Sequence, residues 1–191
     1  MDFSNFRGYT PLERERWRLG NNVGNNIIYK STESATTGKG TFIERTVMIY
    51  GVKINGEKLI HIGENCYIGP HVYLRGHITI GDMAWIGPFT QINGEGGCEI
   101  GKGVGIGNDC IILTCEHQQR DVNQPISFGE LVRMPVVIHD GANIGVGSII
   151  LPGVVIEEGA QIGAGSVVTK ESVVRKHEIW AGNPAHKVGK R

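Results

Sequence analysis

From Ile62 onward an aliphatic residue recurs every six positions: Ile62, Ile68, Leu74, Ile80, Ile86 and Ile92. After a two-residue slip the register resumes at Ile100, Ile106 and Ile112. It lapses between Thr114 and Pro135, then returns as Ile138, Ile144, Ile150, Ile156, Ile162 and Val168. Two positions before each site stands a residue that is usually smaller, among them Cys66, Val72, Ala84, Cys98, Cys110, Ala142, Ser148, Ala160 and Ser166. Residues two apart on a strand share a face. Each hexapeptide therefore reads as one very short strand burying a large and a small side chain, followed by a turn. Glycine follows the aliphatic site at positions 63, 69, 81, 87, 101, 107, 145 and 163, as suits a sharp bend. In the first block Arg75, Asn93 and Leu113 take its place, at every third hexapeptide. Three hexapeptides per turn make a triangular coil, and fifteen hexapeptides make five coils. The chain reads as an all-β solenoid with an interior of stacked ladders.

The flanks read differently. An irregular coil is expected at about 41–59, around Phe42, Ile43, Val47 and Ile49. Thr10-Pro11-Leu12-Glu13 carries a capping residue, a proline at the first helical position and a glutamate three after the cap, which predicts a short helix over about 11–19. Residues 21–40 are polar and read mostly as loop, and the repeat is expected to end at Lys170. The organisation is thus an N-terminal segment over 1–40, a β-helix domain over 41–170 and a C-terminal tail over 171–191, with an excursion at about 114–135.

Composition narrows the function. The chain has 191 residues, with 19 Lys+Arg against 19 Asp+Glu, which offers no electrostatic footprint for nucleic acid or an anionic membrane. Its 29 glycines follow no collagen period and number about twice ordinary usage. No apolar run reaches the ~20 residues of a spanning helix, and the N-terminus lacks the order of a secretion signal. Cys66, Cys98 and Cys110 fall in the small-residue column, where a buried thiol is expected. These features predict a reduced, cytoplasmic protein.

The hexapeptide pattern over about 40–190 resembles the left-handed parallel β-helix acyltransferases. Right-handed crossovers are the general expectation, so the left hand is implied by the resemblance alone. The run from Ile162 to Lys170 is similar to the last coil of these enzymes. Ala181-Gly182-Asn183-Pro184-Ala185 is similar to their C-terminal signature. The excursion with Glu116-His117-Gln118, Pro125-Ile126 and then Pro135-Val136-Val137-Ile138 resembles the catalytic loop of the maltose, galactoside and O-antigen sugar acetyltransferases.

His117 is the candidate catalytic residue. It stands at a coil edge, and an imidazole can accept a proton near neutrality. The resemblance implies that it takes the acceptor's proton during attack on the thioester of acetyl-CoA. Glu116 and Asp121 are both candidates to orient the ring. The resemblance puts Glu95 at the acceptor, with Asn93 and Glu116 as further substrate-binding candidates. It puts coenzyme A against Gly145, Val146, Ala164, Gly165, Thr169 and Lys170, with Lys187, Lys190 and Arg191 near its phosphates. No metal is expected: a zinc site of the kind this fold also carries needs histidines five apart, and Val122 stands five after His117.

The resulting expectation is a homotrimeric acetyl-CoA-dependent acetyltransferase with active sites between subunits, O-acetylating a sugar in surface-polysaccharide biosynthesis. The alternatives are N-acetylation of a nucleotide-linked amino sugar or other small molecule, and a non-catalytic scaffold solenoid.

Overall fold

The structure is a computed structural model that describes residues 35–50, 59–118 and 121–191. The helix expected over about 11–19 lies outside these residues.

The described chain forms a parallel β-helix. Strands, mostly of two or three residues, stack into an eight-stranded sheet and an eleven-stranded sheet, and a separate two-stranded hairpin projects from them. The eleven-stranded sheet covers two sides of the triangle because Tyr73–Ile80 and Gln91–Ile100 each run through a corner. Ladder partners lie eighteen residues apart in the regular coils, as in Ile62↔Ile80, Ile68↔Ile86 and Ile144↔Ile162. The step from Ile80 to Ile100 is longer by two. Those two residues form a bulge at Asn93–Gly97, in the corner that Gln91–Ile100 crosses.

Both predicted columns are inside. Ile68, Leu74, Ile86, Ile92, Ile112, Ile150 and Val168 have no exposed surface, and neither do Cys66, Val72, Cys110, Val154 and Ala160. Hydroxyls that replace aliphatics in the small column are satisfied by the backbone. Thr90 Oγ1 donates to Gly107 O at 2.8 Å, and Ser166 Oγ to Gly163 O at 2.6 Å. Such pairing removes the cost of burying a polar group.

Three expectations change. The glycines after the aliphatic sites are required by coil stacking and not by left-handed backbone: a Cβ on Gly145 would stand 2.4 Å from Ala164 N, and none of that column has positive φ. The left-handed residues come two positions later, as at Asn65, Met83, Gly141 and Gly165. The loop expected up to residue 40 contains a strand, Ala35–Thr37, paired with Ile60–Ile62. The ladder also continues past Lys170. Val174 is buried beneath Ile156, and Trp180 pairs with Ile162 one hexapeptide later. Only then does the chain reverse into the antiparallel hairpin of Glu178–Gly182 with Ala185–Lys190.

Candidate active site

The excursion is a hairpin. Cys115–Gln118 pairs antiparallel with Glu130–Arg133, setting Cys115 opposite Arg133, Glu116 opposite Val132 and His117 opposite Leu131. Directly opposed residues share a face and alternate residues repeat it. Cys115, His117, Leu131 and Arg133 therefore occupy one face, and Glu116, Gln118, Glu130 and Val132 the other.

On the first face the His117 ring is oriented by backbone. Its Nδ1 lies 3.2 Å from Gly129 O. A carbonyl only accepts, so Nδ1 carries the hydrogen and Nε2 keeps its lone pair for an incoming proton. Glu116 lies on the other face, and Asp121 accepts from Asn123 N at 2.9 Å.

The same face meets the Asn93–Gly97 bulge. Glu95 is about four-fifths buried and forms an ion pair with Arg75, while Arg133 Nη2 stands 4.0 Å from its second oxygen. Asn93 is turned into the bulge: its Oδ1 accepts from Glu95 N at 3.2 Å, and its Nδ2 lies 3.8 Å from Cys115 Sγ. Burial, with Glu95 adding to it, pushes the Cys115 thiol up. The fully buried Thr114 joins the two parts. Its Oγ1 donates to Asn93 O at 2.7 Å and accepts from Gly96 N at 2.7 Å. Gly96 is fitted closely here, since a Cβ on it would lie 2.2 Å from Thr114 O.

On the second face Lys170 Nζ donates to Glu116 Oε1 at 2.5 Å, tying the hairpin to a coil 54 residues later. The residues expected at acceptor and donor are thereby joined. The last coils also form a ledge of small side chains. Val146 is half exposed, Ala164 is exposed, and Gly147 and Gly165 have left-handed backbone with nothing within 4 Å of where a Cβ would point. Such a ledge offers both open space and apolar surface. Thr169 Oγ1 is 3.2 Å from Ser172 Oγ. The Ala181–Ala185 turn closes the ledge at its end, with Gly182 N donating to Ser166 Oγ at 3.2 Å. Lys187 donates to Glu178 at 2.7 Å, and this pair holds the Glu178 carboxyl down at about 2.

Sequence reasoning missed Arg133, Thr114, Cys115 and Gly129. Arg75 carried a signal, as an exception in the glycine column. Arg133 carried none, because only the hairpin pairing brings it to Glu95. Among the described residues no group of three His, Cys, Asp or Glu side chains could hold a metal.

Residues 60–94 and 135–170 match the bacterial transferase hexapeptide (six repeats) family model. AntD, an N-acyltransferase from Bacillus cereus solved with dTDP and 3-hydroxybutyryl-CoA, is 28% identical, with a TM-score of 0.70, covering 87% of this chain and 90% of its own. A variant of AntD solved with dTDP-4-amino-4,6-dideoxyglucose and coenzyme A gives the same identity and TM-score over 85% of this chain and 90% of its own. A hexapeptide-repeat acetyltransferase from Vibrio cholerae complexed with acetyl coenzyme A is 26% identical, with a TM-score of 0.62, over 68% of this chain and 70% of its own. Bifunctional protein GlmU of Pelotomaculum thermopropionicum is 31% identical over 124 residues, 56% of this chain and 24% of its own. GlmU of Alkaliphilus oremlandii is 24% identical over 146 residues, 65% and 31%. The chain thus spans about a third or less of the curated relatives it matches. The chain is thus similar to the bacterial transferase hexapeptide family over residues 60–94 and 135–170, and similar in fold to solved acyl- and acetyltransferases.

Proposed function

We propose that this protein transfers an acyl group, acetyl in the simplest case, from its coenzyme A thioester to a sugar acceptor, with His117 as general base. The observation that carries this reading is the Nδ1 contact to Gly129 O, which leaves Nε2 as the proton acceptor. The acceptor's nucleophilic atom attacks the thioester carbonyl and gives its proton to Nε2 as the new bond forms. The C–S bond then breaks, and coenzyme A leaves as the thiol once protonated. Proton transfer of this kind contributes roughly 10²–10⁴ to rate.

Two acceptors fit. The hydroxyl of a sugar destined for surface polysaccharide is supported by the likeness of the Glu116–Ile126 excursion to the sugar O-acetyltransferases. The amine of a nucleotide-linked amino sugar is supported by AntD, an N-acyltransferase solved with such a compound. A screen of both acceptor classes, scored by free thiol release, separates them. No thiol release with any acceptor, together with no acetyl-CoA binding, would leave only the scaffold reading.

The donor is assigned to the ledge of Gly145, Val146, Ala164 and Gly165. Ala164→Trp is expected to abolish acetyl-CoA binding in calorimetry while the interior columns stay packed. A homotrimer is expected, because the excursion carries Val122, Ile126 and Phe128 at 95%, 69% and 76% exposure, apolar surface that a second copy would cover.

A further inference from the structure

The geometry points to a nucleoside diphosphate subsite beside His117, in which Arg75 and Arg133 hold the phosphates and Tyr50 receives the base. This rests on the acyl-transfer reading and identifies the residues that would recognise a nucleotide-linked acceptor.

Two observations carry it. The first is charge. Among the described residues Glu95 is the carboxylate that faces both Arg75 and Arg133, so the cluster holds two cations against one anion. Arg133 is only at the limit of pairing distance from Glu95 and is 55% exposed, and Arg75 is 51% exposed. Each guanidinium keeps N–H donors for a second anion, in the planar arrangement that suits phosphate oxygens. Arg133 shares the His117 face of the hairpin, two residue positions along, about 7 Å in strand spacing. Glu95 is thus a bracket between the arginines.

The second observation is the row that Arg75 belongs to. Across the ladder Tyr50 pairs with Arg75, Arg75 with Asn93, and Asn93 with Leu113, at the root of the hairpin. Neighbouring strands lie about 4.8 Å apart, so this row covers about 14 Å. Its outer end is an aromatic ring, Tyr50, 43% exposed and tilted against Tyr73 at 5.2 Å between centroids. An exposed ring, then a cation, then the catalytic hairpin follow the order of base, diphosphate and sugar in a nucleotide-linked acceptor. A free sugar uses only the hairpin end of the row.

The test is calorimetry on the full chain with thymidine diphosphate, inorganic pyrophosphate and thymidine as probes. The wild type is expected to bind thymidine diphosphate more tightly than either part. Arg75→Gln and Arg133→Gln should each weaken thymidine diphosphate and pyrophosphate about tenfold, the lower end for a charge-assisted contact. Arg133→Lys should recover only part of the loss, because the fork is gone. Tyr50→Ala should weaken thymidine diphosphate about tenfold and leave pyrophosphate unchanged, since stacking concerns the base. Arg175→Gln, which removes a distant cation paired with Glu157, should change nothing. Unchanged thymidine diphosphate binding in the Arg75→Gln, Arg133→Gln double variant would overturn the subsite, as would an equal loss in Arg175→Gln. Thiol release, measured on the same proteins with a neutral sugar and with a nucleotide-linked amino sugar, reports on acyl transfer separately. A double variant that keeps both nucleotide binding and transfer refutes this subsite alone, while a wild type that binds the nucleotide and releases no thiol refutes the acyl-transfer reading alone.

Discussion

Thr114 Oγ1 sits between Asn93 O and Gly96 N, 2.7 Å from each, and so ties the bulge that carries Glu95 to the root of the hairpin that carries His117. Thr114→Val keeps the shape and removes the hydroxyl, depriving a part-buried carbonyl and a part-buried N–H of their partner. The expected cost is about 1–3 kcal/mol, read as a fall of several degrees in melting temperature. Acceptor KM should rise while the KM for acetyl-CoA holds. Thr114→Ser should restore both stability and KM; if it does not, the hydroxyl is not what positions the bulge.

Replacing His117 by Ala should lower kcat by roughly 10²–10⁴. Acetyl-CoA binding and thermal stability should persist, because the ring is exposed on the hairpin and lies outside the buried columns. The wild-type rate should fall on acidification, since a protonated imidazole has no lone pair at Nε2 to offer. His71→Ala, in a turn stacked against Phe89, should leave activity at the wild-type level. A fully active His117→Ala enzyme would remove the general-base assignment.

The Lys170–Glu116 pair separates two roles for Lys170. If Lys170 serves the donor phosphates, Glu116 competes for it. Glu116→Gln should then tighten acetyl-CoA at low salt, and Lys170→Ala should weaken it about tenfold, on the scale of one charge-assisted contact. If Lys170 only straps the hairpin, the two variants should behave alike. Neither should change stability by more than about 1 kcal/mol, because both side chains are partly solvated.

Light scattering at micromolar concentration should give three times the chain mass. Phe128→Glu puts a charge on the exposed tip of the excursion and should shift the population to monomer. A wild-type monomer would overturn the assembly.

The Glu178 carboxyl is held down at about 2 by Lys187, with help from Trp180 Nε1 at 2.9 Å. Its folded value lies below the unfolded one. The contribution to stability is therefore fully present above the ordinary carboxylate range and is lost as pH falls toward 2. Melting curves of wild type and Glu178→Gln should differ above pH ~5 and converge near pH ~2, the window set by an ordinary glutamate near ~4.3 and the lowered value.

How much of this was legible beforehand follows from which forces are local. A hexapeptide buries its own Ile and its own small residue, so the columns from Ile62 to Val168 declare the coil and its three-fold period directly. The position of His117 on an excursion is legible for the same reason, since the register lapses there. What the repeat could not declare depends on contacts between coils. The reason for glycine at 145 lies in Ala164, nineteen residues away and one past the ladder position of Gly145, which leaves no room for a Cβ. The continuation through Val174 and Trp180 is only half marked in the sequence: Val174 keeps the six-residue period, but an aromatic takes the next aliphatic place. The partners of Glu95 and Glu116 were out of reach of any pattern. Arg133 and Lys170 reach them across 38 and 54 residues through one hairpin, whose alternating faces exist only once Cys115–Gln118 has paired with Glu130–Arg133.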